Sequence, residues 1–321
     1  MNTEITVPKT LREAIIHYSD PKVCHQLMVA IRFPNGVACV HCGSMDSIRF
    51  MESVQRFKCY ACRKQFSLKT GTVLEDSPIP FTKWLPAFWL LTSAKNGISS
   101  YELSRALGVT QKTAWFMLHR IRHILACGTF EKMDGDCEAD ETFIGGLEKN
   151  KHESRKLKAG RGGVGKTIVA GVIERSADGK PSQVRTKVVK DTSKATLQGL
   201  LTNNVKAGSA IYTDAHKGYQ GLDEQYIHEF IDHAVTYAEG AVHTNGMENY
   251  WSLLKRTLKG TYVAVCPSHL AAYIDEQAFR FNERKSTDSE RFVAALKLAS
   301  GKRLTYEELT AAYDAYFGEV N

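Results

Sequence analysis

A chain of 321 residues is long enough for about two globular domains, and 43% hydrophobic with 24% charged residues is a folding composition, which excludes wholesale disorder. The longest apolar stretch, residues 84–91, is broken by Pro86 and falls far short of the ~18 residues a membrane helix needs. The start, MNTEITVPKTLREA, lacks the apolar core of a signal peptide, so the expected location is the cytoplasm. A net charge of +7 and a pI near 8.9 favour a polyanionic partner without specifying one.

In chain order, residues 10–34 read as helical, with Leu11, Ile15 and Ile16 followed by Leu27, Ala30 and Ile31 on the apolar side. Residues 37–70 form a cysteine-punctuated run of short strands. Eight cysteines in an unsecreted chain argue against a disulfide framework. Cys24, Cys127, Cys137 and Cys266 are scattered and read as buried small side chains. Cys39 and Cys42 form one C-x2-C pair and Cys59 and Cys62 another, 16 residues apart. Each pair fits a tight turn that aims two thiolates at one point, and two such turns complete a tetrahedral site for Zn²⁺. Gly43 follows the first turn, and Ile48, Phe50, Phe57 and Phe66 supply apolar strand positions around it. A thioredoxin-like dithiol would need one pair in a βαβ setting, which is missing. A filled four-cysteine site leaves no open position, so this zinc is structural.

Residues 81–125 read as three helices. Thr82 is placed to cap the first, with Trp84, Leu85, Phe88 and Leu91 on one face. Ser99 and Glu102 form a capping-box pattern for the second, which carries Leu103, Ala106 and Leu107 and stops at Gly108. Thr110 caps the third, with Ala114, Met117, Leu118 and Ile121 inward. Its other face offers Gln111, Lys112, His119, Arg120 and Arg122 to phosphates and base edges, as in a helix-turn-helix. A plain helical hairpin with a solvated basic face fits equally well on the residues alone; the neighbouring ribbon and the basic charge favour DNA binding.

The run EKMDGD at 131–136 marks a boundary, after which the pattern turns β-rich: CEADETFIGG, TIVAGVIER and VRTKVVKD. A helix is expected near 193–204, then the strand SAIYTDA, a short strand near 228–235, and helices to the end. Strands first and helices later suggest a mixed sheet flanked by helices. Residues 160–167, GRGGVGKT, match a phosphate-loop pattern, but the preceding KNKHESRKLKA is too charged for a core strand and the following TIVAGVIE reads as a strand. The expected structure is instead a basic hairpin loop, with Lys149, Lys151, Arg155, Lys156, Lys158, Arg161 and Lys166 near a DNA backbone.

Three acids have the right settings for holding hard divalent cations through oxygen: Asp140 in a strand, Asp214 at a strand end, and Glu248 in the helical GMENYWSLLKRTLKG. Lys255 lies two helical turns beyond Glu248 on the same face, where an ammonium can meet DNA phosphates. On the first strand Asp136, Glu138 and Asp140 share a face and Glu141 is adjacent, so spacing does not choose among them.

The segments EADETFIGG, GRGGVGKT with IVAGVIER, IYTDAHKGY, HTNGMENYWSLLKRTLKGTY and DEQAFRFNERK resemble the ordered blocks of bacterial insertion-sequence transposases of the DDE superfamily. RFPNGVACVHCGS and CYACRKQFSLKTGTVLEDS resemble the N-terminal zinc ribbon of that group. The blocks run from about residue 20 to 290; the HTN…E…WS…LK block is specific, and the ribbon alone is common. The resemblance implies a ribonuclease-H-like fold and Mg²⁺-dependent cutting and joining of DNA, with Mn²⁺ as the alternative ion. It assigns the first acid to Asp140, because in that motif the aspartate is followed by glutamate. It assigns the second to Asp214, the third to Glu248 and the associated base to Lys255, with Arg256 beside it on the DNA. It gives His243 and Asn245 a supporting role.

The expected architecture is α+β and multidomain: helix and ribbon in 1–75, helix-turn-helix in 76–130, and a ribonuclease-H-like catalytic domain with C-terminal helices in 131–321. The expected partners are double-stranded DNA and further copies of the chain, as a dimer or higher synaptic assembly, with no membrane. A non-catalytic DNA-binding regulator would explain the first 125 residues but leave the acids unassigned. A nuclease that cuts without joining shares every carboxylate.

Overall fold

In the computed structural model, which describes residues 7–126, 131–146, 163, 165–177, 179–231 and 243–311, the expected first helix is two. Helix α1 spans Leu11–His17, and α2 spans Pro21–Arg32. The Asp20 carboxylate accepts from the Lys22 N–H, and Pro21, with its preset φ and no N–H to lose, starts a fresh helix there. Strands β1 (Ile48–Met51), β2 (Arg56–Cys59) and β3 (Gln65–Phe66) form a small antiparallel sheet in that order. Phe50, Phe57 and Phe66 stack across it, with Phe57 and Phe66 buried. Helix α3 spans Phe81–Ser93, with Pro80 rather than Thr82 preceding its first turn. Helices α4 (Ser100–Leu107) and α5 (Gln111–Ile124) follow, with the Ser99–Glu102 capping box, left-handed Gly108 and Thr110 cap in their expected places.

After residue 131 the chain builds a five-stranded mixed sheet. Its strands are β4 (Cys137–Ile144), β5 (Thr167–Glu174), β6 (Gln183–Val189), β7 (Ala210–Asp214) and β8 (Ile227–Ile231). Helix α6 (Lys194–Asn204) lies between β6 and β7 in sequence, and α7 (Asn245–Thr257) and α8 (Leu270–Asn282) follow β8. The spatial order is β6-β5-β4-β7-β8; β4, β5 and β6 run antiparallel, and β7 and β8 join parallel to β4. Period-2 alternation sorts the core into two layers. Cys137, Ala139, Ala170, Val172 and Ile211 pack with Leu197 and Leu201 of α6. Val169, Ile173 and Val184 pack with Met247, Trp251 and Leu254 of α7 and Ile274 of α8.

Helix α9 (Asp288–Lys297) then returns to the N-terminal elements. Its Phe292 lies against Tyr18 at 5.4 Å and Trp89 at 5.2 Å between ring centres, and all three are buried. Burial of such a ring contributes about 2–3 kcal/mol. The Val73 N–H donates to the Ala299 carbonyl, and Thr72 bridges to Ser300. The chain thus divides into Met1–Leu125 with Ser286–Asn321, and Ala126–Lys285. The expected continuous segment 131–321 is interrupted, because the apolar face of α9 completes the first unit. No helix among the described residues is long and apolar enough to cross a membrane.

Candidate active site and metal centre

Each cysteine pair sits on a turn closed by backbone hydrogen bonds. Gly43 N–H donates to the Cys39 carbonyl at 2.8 Å, and Cys39 N–H to Ser44 at 2.9 Å; Cys59 N–H donates to Lys64 at 3.0 Å. The residue after each turn has positive φ, +76° at Gly43 and +63° at Arg63. All four ligand sulfurs lie within 4.8 Å of one another, with Cys39–Cys62 and Cys42–Cys59 at 3.7 Å. Burial opposes ionisation at Cys39, but the amides of His41 and Cys42 and the neighbouring thiols outweigh it and bring that thiol down to about 6. A ready thiolate among four converging sulfurs fits structural zinc.

The basic face expected on α5 is largely absent. His119, Arg120 and Arg122 are buried, at 1%, 5% and 1% exposure. His119 packs on the Trp115 ring, and the Arg120 guanidinium lies 4.5 Å over Phe116 while its Nε donates to the Leu304 carbonyl. Residues after Ser300 cover this second face of α5; Lys302 also reaches the Ile124 carbonyl. A helix covered on two sides has no free stripe there. Gln111 is half-buried and donates to Ser100, whereas Lys112 is exposed, its ammonium 4.8 Å over Tyr306. Tyr101 and Arg105 of α4 are exposed too, outside the apolar stripe that marks that helix in the sequence. Ala106, expected inward, is exposed.

The acids that spacing left open differ in their surroundings. Glu138 is 1% exposed and takes a structural role: it pairs with Arg175 at 2.8 Å and accepts from the Met247 N–H at 3.0 Å. It thus caps the start of α7, and its own buried charge is neutralised by the half-buried Arg175. Asp136 is exposed. Asp140 lies on the same face as Glu138, half-buried, and accepts from the Trp251 indole N–H at 2.9 Å. The β4–β7 register pairs Cys137 with Ile211 and Glu138 with Tyr212; Asp140 and Asp214 each follow two residues after the second pair on these adjacent parallel strands. Glu248 lies in the first turn of α7, one turn before Trp251. Asp140 and Asp214 therefore share the sheet face that α7 covers. Glu141 turns to the other face, where Tyr219 donates to it at 3.0 Å and His216 Nε2 lies 3.9 Å away.

Burial and the charges of Glu141 and Asp214 push the Asp140 carboxyl up to about 7. Burial and Asp214 raise Glu141 as well. Crowded, desolvated carboxyl groups of this kind suit a hard divalent cation. The three acids do not close to the spacing of the thiolates: among the described residues, only the four cysteines form a set of three or more ligand groups within 4.8 Å.

His243, placed by sequence beside the acids, is held by Glu138 and Arg175 instead. Its Nδ1 lies 3.3 Å from the Glu138 carboxylate and 3.2 Å from Arg175 Nη2, which also donates to the His243 carbonyl at 2.8 Å. Asn245 is exposed at the first residue of α7. Arg175, the last letter of IVAGVIER, was missed because nothing local marks it; its partners are 37 and 68 residues away. Trp251 was passed over for the same reason. Gly171, facing Asp140 across β5, lets α7 approach: a Cβ there would lie 2.7 Å from Met247 Cε and 2.9 Å from Trp251 Cη2. Lys255 and Arg256 are exposed on α7. Lys166 is half-buried at the turn before β5, its N–H donating to Gly163. Residues 167–174 form strand β5, so no helix follows the phosphate-loop pattern. Arg161, Lys149, Lys151, Arg155, Lys156, Lys158 and Cys127 lie outside the described residues.

Four converging cysteines in the ribbon define a metal-binding class of protein. Residues 19–65 match the transposase zinc-ribbon domain, and residues 132–282 match the ISXO2-like transposase domain, nearly the whole of the sheet-bearing unit. The chain is 28% identical over 243 residues to an uncharacterized protein in transposable element ISH50 of Halobacterium salinarum, covering 72% of this chain and 81% of that protein. It is 34% identical over 101 residues to an uncharacterized transposase-like protein of Haemophilus influenzae, covering 31% of this chain and 81% of that protein. The chain belongs to the insertion-sequence transposases of the DDE superfamily that carry an N-terminal zinc ribbon.

Proposed function

We propose that this protein binds the terminal inverted repeats of an insertion sequence, cuts a phosphodiester there and joins the released 3′-hydroxyl to target DNA. The observation that supports the reading is that Asp140 and Asp214 lie on adjacent parallel strands and repel each other's charge, while Trp251, one turn after Glu248 on α7, donates to Asp140. Three antiparallel strands continued by two parallel ones, with α6 on one face and α7 and α8 on the other, support a ribonuclease-H-like core. Asp140, Asp214 and Glu248 would hold Mg²⁺, which when bound makes an attacking oxygen nucleophilic and stabilises the leaving oxygen.

The residues around them do the positioning. Trp251 fixes the Asp140 carboxylate through its indole N–H. Glu138, Arg175 and His243 pin the start of α7, which sets where Glu248 stands. Lys255 and Arg256 meet the DNA backbone from the same helix. The ribbon and the α4–α5 pair recognise the repeat, with Lys112, Arg105 and Tyr101 as the exposed contacts in place of the buried His119, Arg120 and Arg122. Holding two DNA ends together calls for a dimer or higher assembly.

The test is incubation of the protein with labelled element-end DNA and a target plasmid, with Mg²⁺, with EDTA, and with Asp140→Ala. Joined products that need both metal and Asp140 are expected. Cutting without joining would reduce the protein to a nuclease, and specific binding with neither product would make it a regulator.

A further inference from the structure

The ladder between β4 and β7 ends before the acids that these strands carry. Its last pair is Glu138 with Tyr212, and Asp140 and Asp214 each stand two residues further on. Ladder hydrogen bonds therefore do not fix the gap between them. The like charges of Asp140, Glu141 and Asp214 also push the two strands apart there. A set distance between the two aspartates needs another constraint.

Glu141, directly after Asp140 on β4, is an acid that the chemistry above leaves unused, and its side chain is only 7% exposed. Its Oε2 accepts from the Tyr219 hydroxyl at 3.0 Å, and its Oε1 faces His216 Nε2 at 3.9 Å. Both partners belong to the short 3-10 turn, Lys217–Tyr219 with His216 as its cap, that follows Asp214. Gly218 N–H donates to His216 Nδ1 at 3.0 Å, which leaves the proton of the neutral ring on Nε2, toward Glu141. The backbone N–H of His216 donates to the Asp214 carboxylate at 3.1 Å. The turn is in addition seated on α6. Tyr219 is buried among Leu197, Leu200 and Leu222, and Gln198 donates to the Gln220 carbonyl at 2.9 Å. Gly218 lies so close to that helix that a Cβ would stand 2.7 Å from Leu197 Cδ1. A carboxylate that accepts from a buried phenol makes a strong, directional bond. Here it ties the strand of the first aspartate to the turn of the second.

We propose that Glu141 and Tyr219 are a positioning pair that sets the distance between Asp140 and Asp214 for a divalent cation, without Glu141 binding the ion itself. The inference rests on the reading that Asp140 and Asp214 hold the ion, and deepens it. Mg²⁺ demands near-ideal octahedral geometry, so acids loosened from their spacing lose the ion before the fold is lost.

The experiment uses the full-length, zinc-loaded protein and two readouts: the rise in melting temperature as Mg²⁺ is added, and the joining of end DNA at each Mg²⁺ concentration. Tyr219→Phe keeps the ring in the core and deletes only the hydroxyl. It is expected to raise the Mg²⁺ half-point about tenfold or more in both readouts. Glu141→Ala should do the same, and the double variant should be no worse than either single one, because all three remove the same bond. Glu141→Gln, whose amide oxygen still accepts from Tyr219, should keep the half-point near that of the wild type. A bond that only stabilises the fold would lower melting in EDTA and leave the half-point unmoved, and that result overturns the proposal. Additive losses in the double variant overturn it too. So does a Glu141→Gln half-point shifted as far as that of Glu141→Ala, which would make Glu141 a ligand. If Asp140→Ala instead melts and joins in Mg²⁺ as the wild type does, the aspartates do not hold the ion, and the underlying reading falls first.

Discussion

Asp140 stands where its charge is least welcome without a counter-ion. Burial, then Glu141, then Asp214 raise its carboxyl to about 7, against an ordinary 3.8. The folded state therefore binds the proton more tightly than the unfolded chain does. The resulting stability is fully present below about pH 4 and is lost as pH rises through about 7. Asparagine cannot ionise, and its amide oxygen still accepts from Trp251. In EDTA, Asp140→Asn is therefore expected to be more stable than wild type at pH 8 by on the order of 2 kcal/mol, and no more stable at pH 4. Urea melts at the two pH values check this. Equal gains at both would mean that packing, not charge, separates the variants. With Mg²⁺ added, the order at pH 8 should reverse, because only the wild type gains the stabilisation of a bound ion.

Helix α7 carries the third acid, and its height above the sheet is set by a missing side chain. A Cβ on Gly171 would sit inside the contact distance of both Met247 and Trp251, neither at the free end of a solvent-exposed chain. Gly171→Ala is expected to cost about 1–3 kcal/mol by overpacking and to lower DNA joining far more than DNA binding. Full joining with unchanged stability would show that α7 has room to spare. None of this could be read from the sequence, where Gly171 is one letter in a β-branched run. What was legible was local: the caps at Ser99 and Thr110, the stop at Gly108, the two cysteine turns, and the strands that alternate by two. What was not legible depended on partners far along the chain. Glu138 and Asp140 look alike until Arg175 and Met247 claim the first and Trp251 the second. Arg120 reads as a DNA contact because the segment that holds it is 184 residues away. The family resemblance chose Asp140 where spacing alone did not, and the register with Asp214 is compatible with that choice.

At the scale of the whole molecule, the two units differ in how the chain supplies them. The sheet-bearing unit is one continuous stretch, 126–285, with a core on each face of the sheet. A stretch of about 160 residues buries roughly 70% of the surface its unfolded chain exposes, enough to stand alone. The first unit is discontinuous, and its α3 is completed only when α9 brings Phe292 onto Tyr18 and Trp89. Residues 126–285 produced alone are thus expected to melt in one cooperative transition. Residues 1–125 alone would leave Trp89 and Tyr18 without that cover, and α5 without the residues that hold Arg120. They should melt broadly or aggregate even with zinc, which secures only the ribbon. Joining 286–321 to residue 125 through a short Gly/Ser linker should restore a sharp transition. If 1–125 already melts sharply, α9 is an accessory to a core that the first five helices complete. If 126–285 fails to melt cooperatively, the sheet depends on the first unit, and binding and chemistry are then not separable parts of this protein.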